Sequence, residues 1–219
     1  MALKSRSNKS RAGNLRLSVF DWVLQLIVAQ KIPVGGINES QLSKRLHVSR
    51  TPLREALVSL EREGFVVKEK RGFAVPPLRG REIQELYPIL GALEGLALHS
   101  SNHFESEHLK KLRSANRRFE RAAGSPQRAL GADNDFHSLL LAACPNRRLL
   151  ATIARQKLLV RRYEMIYLRQ RGFFTRSVQQ HAQIIRALEQ DDRDCAAEVL
   201  EQNWRSALEM VLTSPDRPD

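Results

Sequence analysis

Two groups of residues have the types and spacing that chemistry needs. The first is the run Ser49-Arg50-Thr51-Pro52-Leu53-Arg54. Arg50 and Arg54 stand four residues apart near the start of an expected helix, so both project to one side. An arginine can donate two bonds to O6 and N7 of guanine, and the N-terminal residues of a helix in the major groove reach base edges. Ser49 and Thr51 bring hydroxyls suited to phosphate oxygens, aided by backbone N–H groups at the helix start. Lys44 and Arg45 precede this run and can clamp a nucleic-acid backbone. Lys70, Arg71 and Gly72 follow it as a small basic tip able to enter a minor groove.

The second group is Asp133, His137, His181 and Asn203. Asp133 and His137 are four apart and share a helix face. His137 lies with Leu140 and Leu141, His181 with Ile184, Ile185 and Leu188, and Asn203 with Val199, Leu200 and Ala207. Polar side chains on apolar faces are costly without partners. Oxygen and nitrogen donors converging from different helices suit a divalent metal such as Zn, Ni or Mn. A hydrogen-bonded cluster without metal accounts for the same pattern, and the residues leave both readings open.

The elements that must position these groups follow from periodicity. Leu15–Ile32 reads as a helix, ended by Pro33, Gly35 and Gly36. A short helix is expected over about 39–47. A second is expected over about 52–63, with Thr51 as N-cap, Pro52 at its first position and Gly64 ending it. The period then shortens: Phe65–Lys70 and Phe73–Val75 read as two strands around an Arg71-Gly72 turn. This is the outline of a winged helix-turn-helix. Pro76-Pro77-Leu78 reads as a stiff linker. Helices are predicted near 80–102, 105–123, 127–143, 146–170, 175–190 and 192–212, an all-α bundle of six. The predicted organisation is a basic arm (1–14), a DNA-binding domain (15–75), a linker (76–79), a helical domain (80–212) and a tail (213–219). Trp22 and Trp204 read as core residues, and His99, His103 and His108 as exposed or helix-end histidines.

Composition agrees with two different halves. The 219 residues carry 36 Lys+Arg against 24 Asp+Glu, a net charge of +12. Residues 1–78 hold 14 basic and 6 acidic side chains, giving +8, and the rest hold 22 and 18, giving +4. A basic segment beside a near-balanced one points to a polyanion-binding module joined to another domain. Two cysteines exclude a disulfide scaffold or a cysteine-rich zinc module and fit a reducing cytosol, so a cytoplasmic location is expected. No apolar run is long enough to span a membrane. The basic start before Val19–Ala29 mimics a signal peptide, but Asp21 and Gln25 interrupt the run. No Walker loop, G-x-S-x-G, H-E-x-x-H or C-x-x-C is present. Two further classes stay open: a metal-dependent enzyme built on Asp133, His137 and His181, and an architectural DNA-binding protein without an effector.

The stretch Ile32-Pro33-Val34-Gly35 … Asn38-Glu39-Ser40-Gln41-Leu42-Ser43 … Val48-Ser49-Arg50-Thr51-Pro52-Leu53-Arg54-Glu55-Ala56-Leu57 … Arg71-Gly72-Phe73-Ala74-Val75 resembles the GntR family of bacterial transcriptional regulators. The resemblance implies a winged-helix homodimer on an inverted-repeat operator in double-stranded DNA. Arg50 and Arg54 would read bases, Ser49 and Thr51 would hold phosphate, and Gly72 would mark the wing tip. Leu93-Glu94-Gly95-Leu96-Ala97, Asp133-Asn134-Asp135-Phe136-His137 and the helix from Gln180-His181 resemble the FCD sensing domain of the FadR-like branch. Six helices rather than seven resembles the VanR-type subgroup. The domain would bind a small-molecule effector, often a carboxylate, and repression is the expected mode. The chain departs from the family's pattern at Asn203, where many members carry a third histidine. It departs again at Leu90, where an arginine often meets the effector; Arg161 or Arg162 is the candidate substitute. The expected whole is a regulator, not an enzyme and not a membrane protein.

Overall fold

A computed structural model describes residues 19–167 and 171–214. The predicted arm (1–14), the first residues of the opening helix (15–18), positions 168–170 and the end of the tail (215–219) lie outside the described residues. The chain divides into two compact units, Met1–Pro77 and Leu78–Asp219.

The first unit runs α1 (residues 19–28), β1 (Gly35–Gly36), α2 (Glu39–Arg45), α3 (Arg50–Arg62), β2 (Val67–Glu69) and β3 (Gly72–Val75). Its core is made by Val19, Val23 and Ile27 of α1, Leu42 of α2, Leu53, Ala56, Leu57 and Leu60 of α3, and Phe65, Phe73 and Val75 around the sheet. These are the stripes that helical spacing requires. Trp22 is 47% exposed, contrary to the core reading. One residue from Val23 is a 100° rotation, which turns position 22 off the Val19–Val23–Ile27 stripe.

Asn38 caps α2 by accepting from the Gln41 N–H at 3.0 Å. Helix α3 begins at Arg50 with Ser49 as N-cap, earlier than the Thr51–Pro52 start predicted. The first-turn N–H groups of a helix have no intrahelical acceptor, so Pro52 forfeits no bond at the third position. Gly64, at φ 83°, ends α3. The predicted hairpin is present, but its turn is Lys70-Arg71, and the sheet has a third strand in the antiparallel order β1-β3-β2. Gly35 pairs with Val75 and Gly36 with Ala74. Two glycines carry no strand signal of their own, so the pairing was hidden. They do not end α1 either; the chain turns earlier, at Ala29-Gln30.

Among the described residues the second unit has six helices: α4 (Gly80–His99), α5 (Ser106–Arg121), α6 (Pro126–Leu141), α7 (Arg147–Tyr167), α8 (Arg171–Glu189) and α9 (Arg193–Thr213). Pro126 opens α6, and Asp192 caps α9 through the Cys195 N–H at 2.9 Å. One apolar core joins them, with Tyr87, Leu90 and Leu98 of α4, Leu112 and Phe119 of α5, Phe136 of α6, Ile184 of α8 and Leu200 of α9 all essentially inaccessible. Tyr87 meets Trp204 edge-on at 5.6 Å, which ties α4 to α9 and places Trp204 in the core as expected. His99 and His103 are exposed beside Asp194 and Asp191, and His108 donates from Nε2 to the Leu139 carbonyl at 2.8 Å. Cys144 is buried, Cys195 is exposed, and both are free. Among the described residues no helix is long and apolar enough to cross a membrane.

Candidate nucleic-acid interface and candidate metal centre

Helices α2 and α3 and the turn between β2 and β3 enclose a groove of about 850 Å³ on the first unit. Arg50, Thr51 and Arg54 line it from α3, and Arg71 and Gly72 line it from the wing. The burial of Leu53, Ala56, Leu57 and Leu60 turns the opposite face of α3, with both arginines, outward. Ser49 sits at the N-cap with its hydroxyl unused for capping. Lys44 and Lys70 are exposed and outside the groove lining. Arg45 also lies outside it and donates from Nη1 to the Lys31 carbonyl at 3.4 Å. Two residues that sequence reasoning did not single out hold the arginines. Ser40 Oγ accepts from Arg50 Nη2 at 2.9 Å, and Glu39 Oε2 lies 3.3 Å from Arg54 Nε. An acid in the first turn of α2 reads from sequence as an ordinary dipole partner, so nothing in the pattern marked Glu39 for more.

In the second unit Asp133 and His137 of α6 meet His181 of α8. One donor atom from each lies within 4.8 Å of the other two. His137 Nε2 is 3.9 Å from Asp133 Oδ2, and His181 Nε2 is 3.6 Å from Asp133 Oδ1. Both rings are oriented from behind. His137 donates from Nδ1 to Glu94 Oε2 at 2.7 Å, and His181 donates from Nδ1 to Asn116 Oδ1 at 3.2 Å. The Asn116 amide is itself fixed, since its Nδ2 donates to the Val178 carbonyl at 3.0 Å. With Nδ1 of each ring engaged by these partners, the Nε2 atoms of both rings stand on the side of Asp133. His181 is wholly buried and stacked on Phe136 at 3.8 Å. Burial, and next the charge of His137, push its pKa well below the usual histidine value, so it is neutral and able to ligate.

Two imidazole nitrogens and a carboxylate oxygen are a donor set for Zn, Ni or Mn. The residues fit such an ion: Asp133 Oδ1 is buried with no hydrogen-bond partner among the described residues, and both histidines have their second nitrogen anchored. Burial raises the Asp133 pKa, which His137 and Lys157 oppose. Asn203 is not in the triad. Its Nδ2 donates to Ser177 Oγ and Gln180 Oε1, each at 3.0 Å, and Ser177 Oγ stands 3.5 Å from His181 Nε2.

Glu94 is the anchor of this centre. It is fully buried on α4 and accepts from His137, from Lys157 Nζ at 3.0 Å and from Trp204 Nε1 at 2.9 Å. Burial pushes its pKa up, but the charges of Lys157 and His137, and then the hydrogen bonds from His137 and Trp204, more than offset this and hold the carboxyl at about 2. Glu94, Asn116 and Lys157 were not among the predicted site residues. Asn116 does interrupt the apolar stripe Leu109–Leu112–Ala115–Phe119, a signal of the kind that marked His137 and His181. Leu90 is buried in the core. Arg161 has a buried Nε without a hydrogen-bond partner among the described residues, and Arg162 is buried, its pKa lowered by burial against the pull of Tyr163 and Glu82.

Glu164 of α7 is buried nearby, with Oε2 unbonded among the described residues. Burial raises its pKa from 4.5 to about 7, and Asp133 adds to the rise. A raised carboxyl keeps its proton in the folded state where the unfolded chain has lost it. Stability therefore falls as pH rises from about 4.5 to about 7 and stays lower above that. Glu164→Gln is expected to recover about 3 kcal/mol at pH ~8 and little at pH ~4.5. Thermal denaturation of both proteins with a chelator present checks this; equal shifts at the two pH values would contradict it.

Residues 15–75 match the model for bacterial regulatory proteins of the gntR family, and residues 85–206 match the FCD domain. No curated protein sequence matches the chain. Solved structures share its fold. McbR/YncC of E. coli is 19% identical, with 89% of this chain and 97% of that one covered and a TM-score of 0.71. A Rhodococcus sp. RHA1 protein described as a GntR transcriptional regulator is 20% identical, with 90% and 97% covered and a TM-score of 0.73. Lar, which controls expression of the Listeria monocytogenes agr system, is 17% identical, with 89% and 95% covered and a TM-score of 0.61. GntR regulators are not enzymes, which removes the metal-dependent enzyme reading. The chain belongs to the GntR family of bacterial transcriptional regulators, with an N-terminal GntR DNA-binding domain and a C-terminal FCD effector-binding domain.

Proposed function

We propose that the protein is a homodimeric repressor of the FadR-like branch, VanR-type subgroup, that reads an inverted repeat through residues 15–75. Through residues 80–212 it senses a small carboxylate. The observation that carries the DNA reading is the pair Arg50 and Arg54, side by side in a groove completed by Arg71 and Gly72. In this reading Arg50 and Arg54 meet base edges, Ser49 and Thr51 hold phosphate, Lys44 and Arg45 lie along the backbone, and Lys70, Arg71 and Gly72 reach the minor groove. A second copy is supported by Ile89, Leu93 and Leu96, an apolar stripe on α4 of which Ile89 and Leu96 are 48% and 52% exposed.

A divalent ion, Zn, Ni or Mn, would be held by Asp133, His137 and His181. It would supply a Lewis-acidic point for an effector carboxylate. Glu94 and Asn116 orient the two imidazoles, and Asn203 acts through Ser177. Arg161 and Arg162 on α7 are the cationic candidates for the effector's remaining charge. An effector releases DNA only to the extent that it binds the non-binding state better.

Selection of bound duplexes from a random pool tests the reading. An inverted repeat is expected to be enriched, and Arg54→Ala is expected to cost about 1–3 kcal/mol and relax one base pair per half-site. A uniform loss across all sequences would make Arg54 a phosphate contact. No enrichment at all would favour an architectural DNA-binding protein.

A further inference from the structure

The groove on the first unit holds an acidic side chain where phosphates of bound DNA would approach. Glu39, the first residue of α2, is only 19% exposed at its side chain, and its Oε2 stands 3.3 Å from Arg54 Nε. Its other oxygen, Oε1, lies 3.1 Å from where a Cβ on Gly72 would stand. Gly72 has φ +97°, a conformation that side-chain-bearing residues rarely adopt, and its missing Cβ leaves room for the carboxylate. One acid thus touches both the recognition helix and the wing.

We propose that Glu39 is a positioning residue that converts Arg54 from a general phosphate contact into a base reader. This rests on the reading of Arg54 as a base contact. An exposed arginine is drawn to any nearby phosphate, which gives affinity without sequence information. Glu39 engages the Nε edge of the guanidinium. A guanidinium held at Nε keeps its two terminal nitrogens, Nη1 and Nη2, for a bidentate bond to guanine O6 and N7. The same carboxylate repels phosphates of every sequence alike. Glu39 therefore weakens binding to all DNA while strengthening binding to the correct base, and these opposite signs distinguish it from a residue that only supports the fold.

The test uses the 219-residue chain, the duplex that it enriches from a random pool, and a duplex of random sequence. Glu39→Gln is expected to tighten binding to the random duplex about threefold at low salt. It is expected to weaken binding to the enriched duplex about tenfold and to broaden preference at one base pair per half-site. In an Arg54→Ala background the same change is expected to cost no further discrimination. Gly72→Ala, by displacing the carboxylate, is expected to broaden the same base pair. Parallel weakening on both duplexes with a lowered melting temperature would make Glu39 a scaffold residue and overturn the proposal, as would an unchanged selected motif. Failure of the unsubstituted chain to enrich any sequence would overturn the base-reading function itself, and would be seen before any variant is made.

Discussion

Replacing Glu94 with Ala is expected to destabilise the helical domain by about 3–5 kcal/mol. Three donors converge on this buried carboxylate: His137, Lys157 and Trp204. Removing it leaves the Lys157 ammonium, little exposed at its side chain, without its counter-charge and three donors unsatisfied at once. For a domain of this size, each kcal/mol shifts the melting temperature by about 2–4 °C, so a drop on the order of 10 °C is expected. The contribution also has a pH signature. The carboxyl is held at about 2, below its usual 4.5. Its stabilisation is therefore full above about 4.5 and is lost as pH falls through that value toward about 2. Thermal denaturation at neutral and acidic pH checks both points. A Glu94→Ala protein that melts like the parent at neutral pH would contradict the assignment.

Metal affinity should respond to the same anchor but more sharply to the ligands. His137→Ala is expected to abolish metal binding at neutral pH, read as lost metal content by elemental analysis and lost stabilisation on adding Zn or Ni. At a metal concentration about 1,000 times the dissociation constant, the parent should gain about 4 kcal/mol that the variant lacks. Glu94→Gln keeps the shape but not the charge behind His137. It is expected to lower metal affinity by about 10–100-fold without abolishing it. Unchanged metal content in His137→Ala would remove the metal site and leave Asp133, His137 and His181 as a hydrogen-bonded cluster.

What could be read in the sequence was whatever a period or a spacing encodes. The 3.6-residue stripes located six helices in the second unit within a few residues, because a buried face leaves a repeating mark. Spacing also put Arg50 with Arg54, and Asp133 with His137, on common faces before any coordinates. What stayed hidden is the choice of partner across elements. Glu94 sat inside a quoted motif, but only the packing of α4, α6, α7 and α9 shows that one carboxylate serves an imidazole, an ammonium and an indole. Asn203 looked equivalent to His181 by its apolar neighbours, yet its amide is used by Ser177 and Gln180. Strand β1 escaped because two glycines have no side chains to alternate, and Glu39 escaped because its partner Arg54 lies on the next helix.

Native mass spectrometry of the protein on an enriched duplex, before and after chelation, tests most directly whether a metal-bearing dimer reads the DNA. The expected species is two subunits per duplex with about one divalent ion in each, the ions leaving on chelation. A single subunit per duplex would contradict the dimeric reader, and metal-free subunits after exposure to Zn, Ni and Mn would contradict the metal centre.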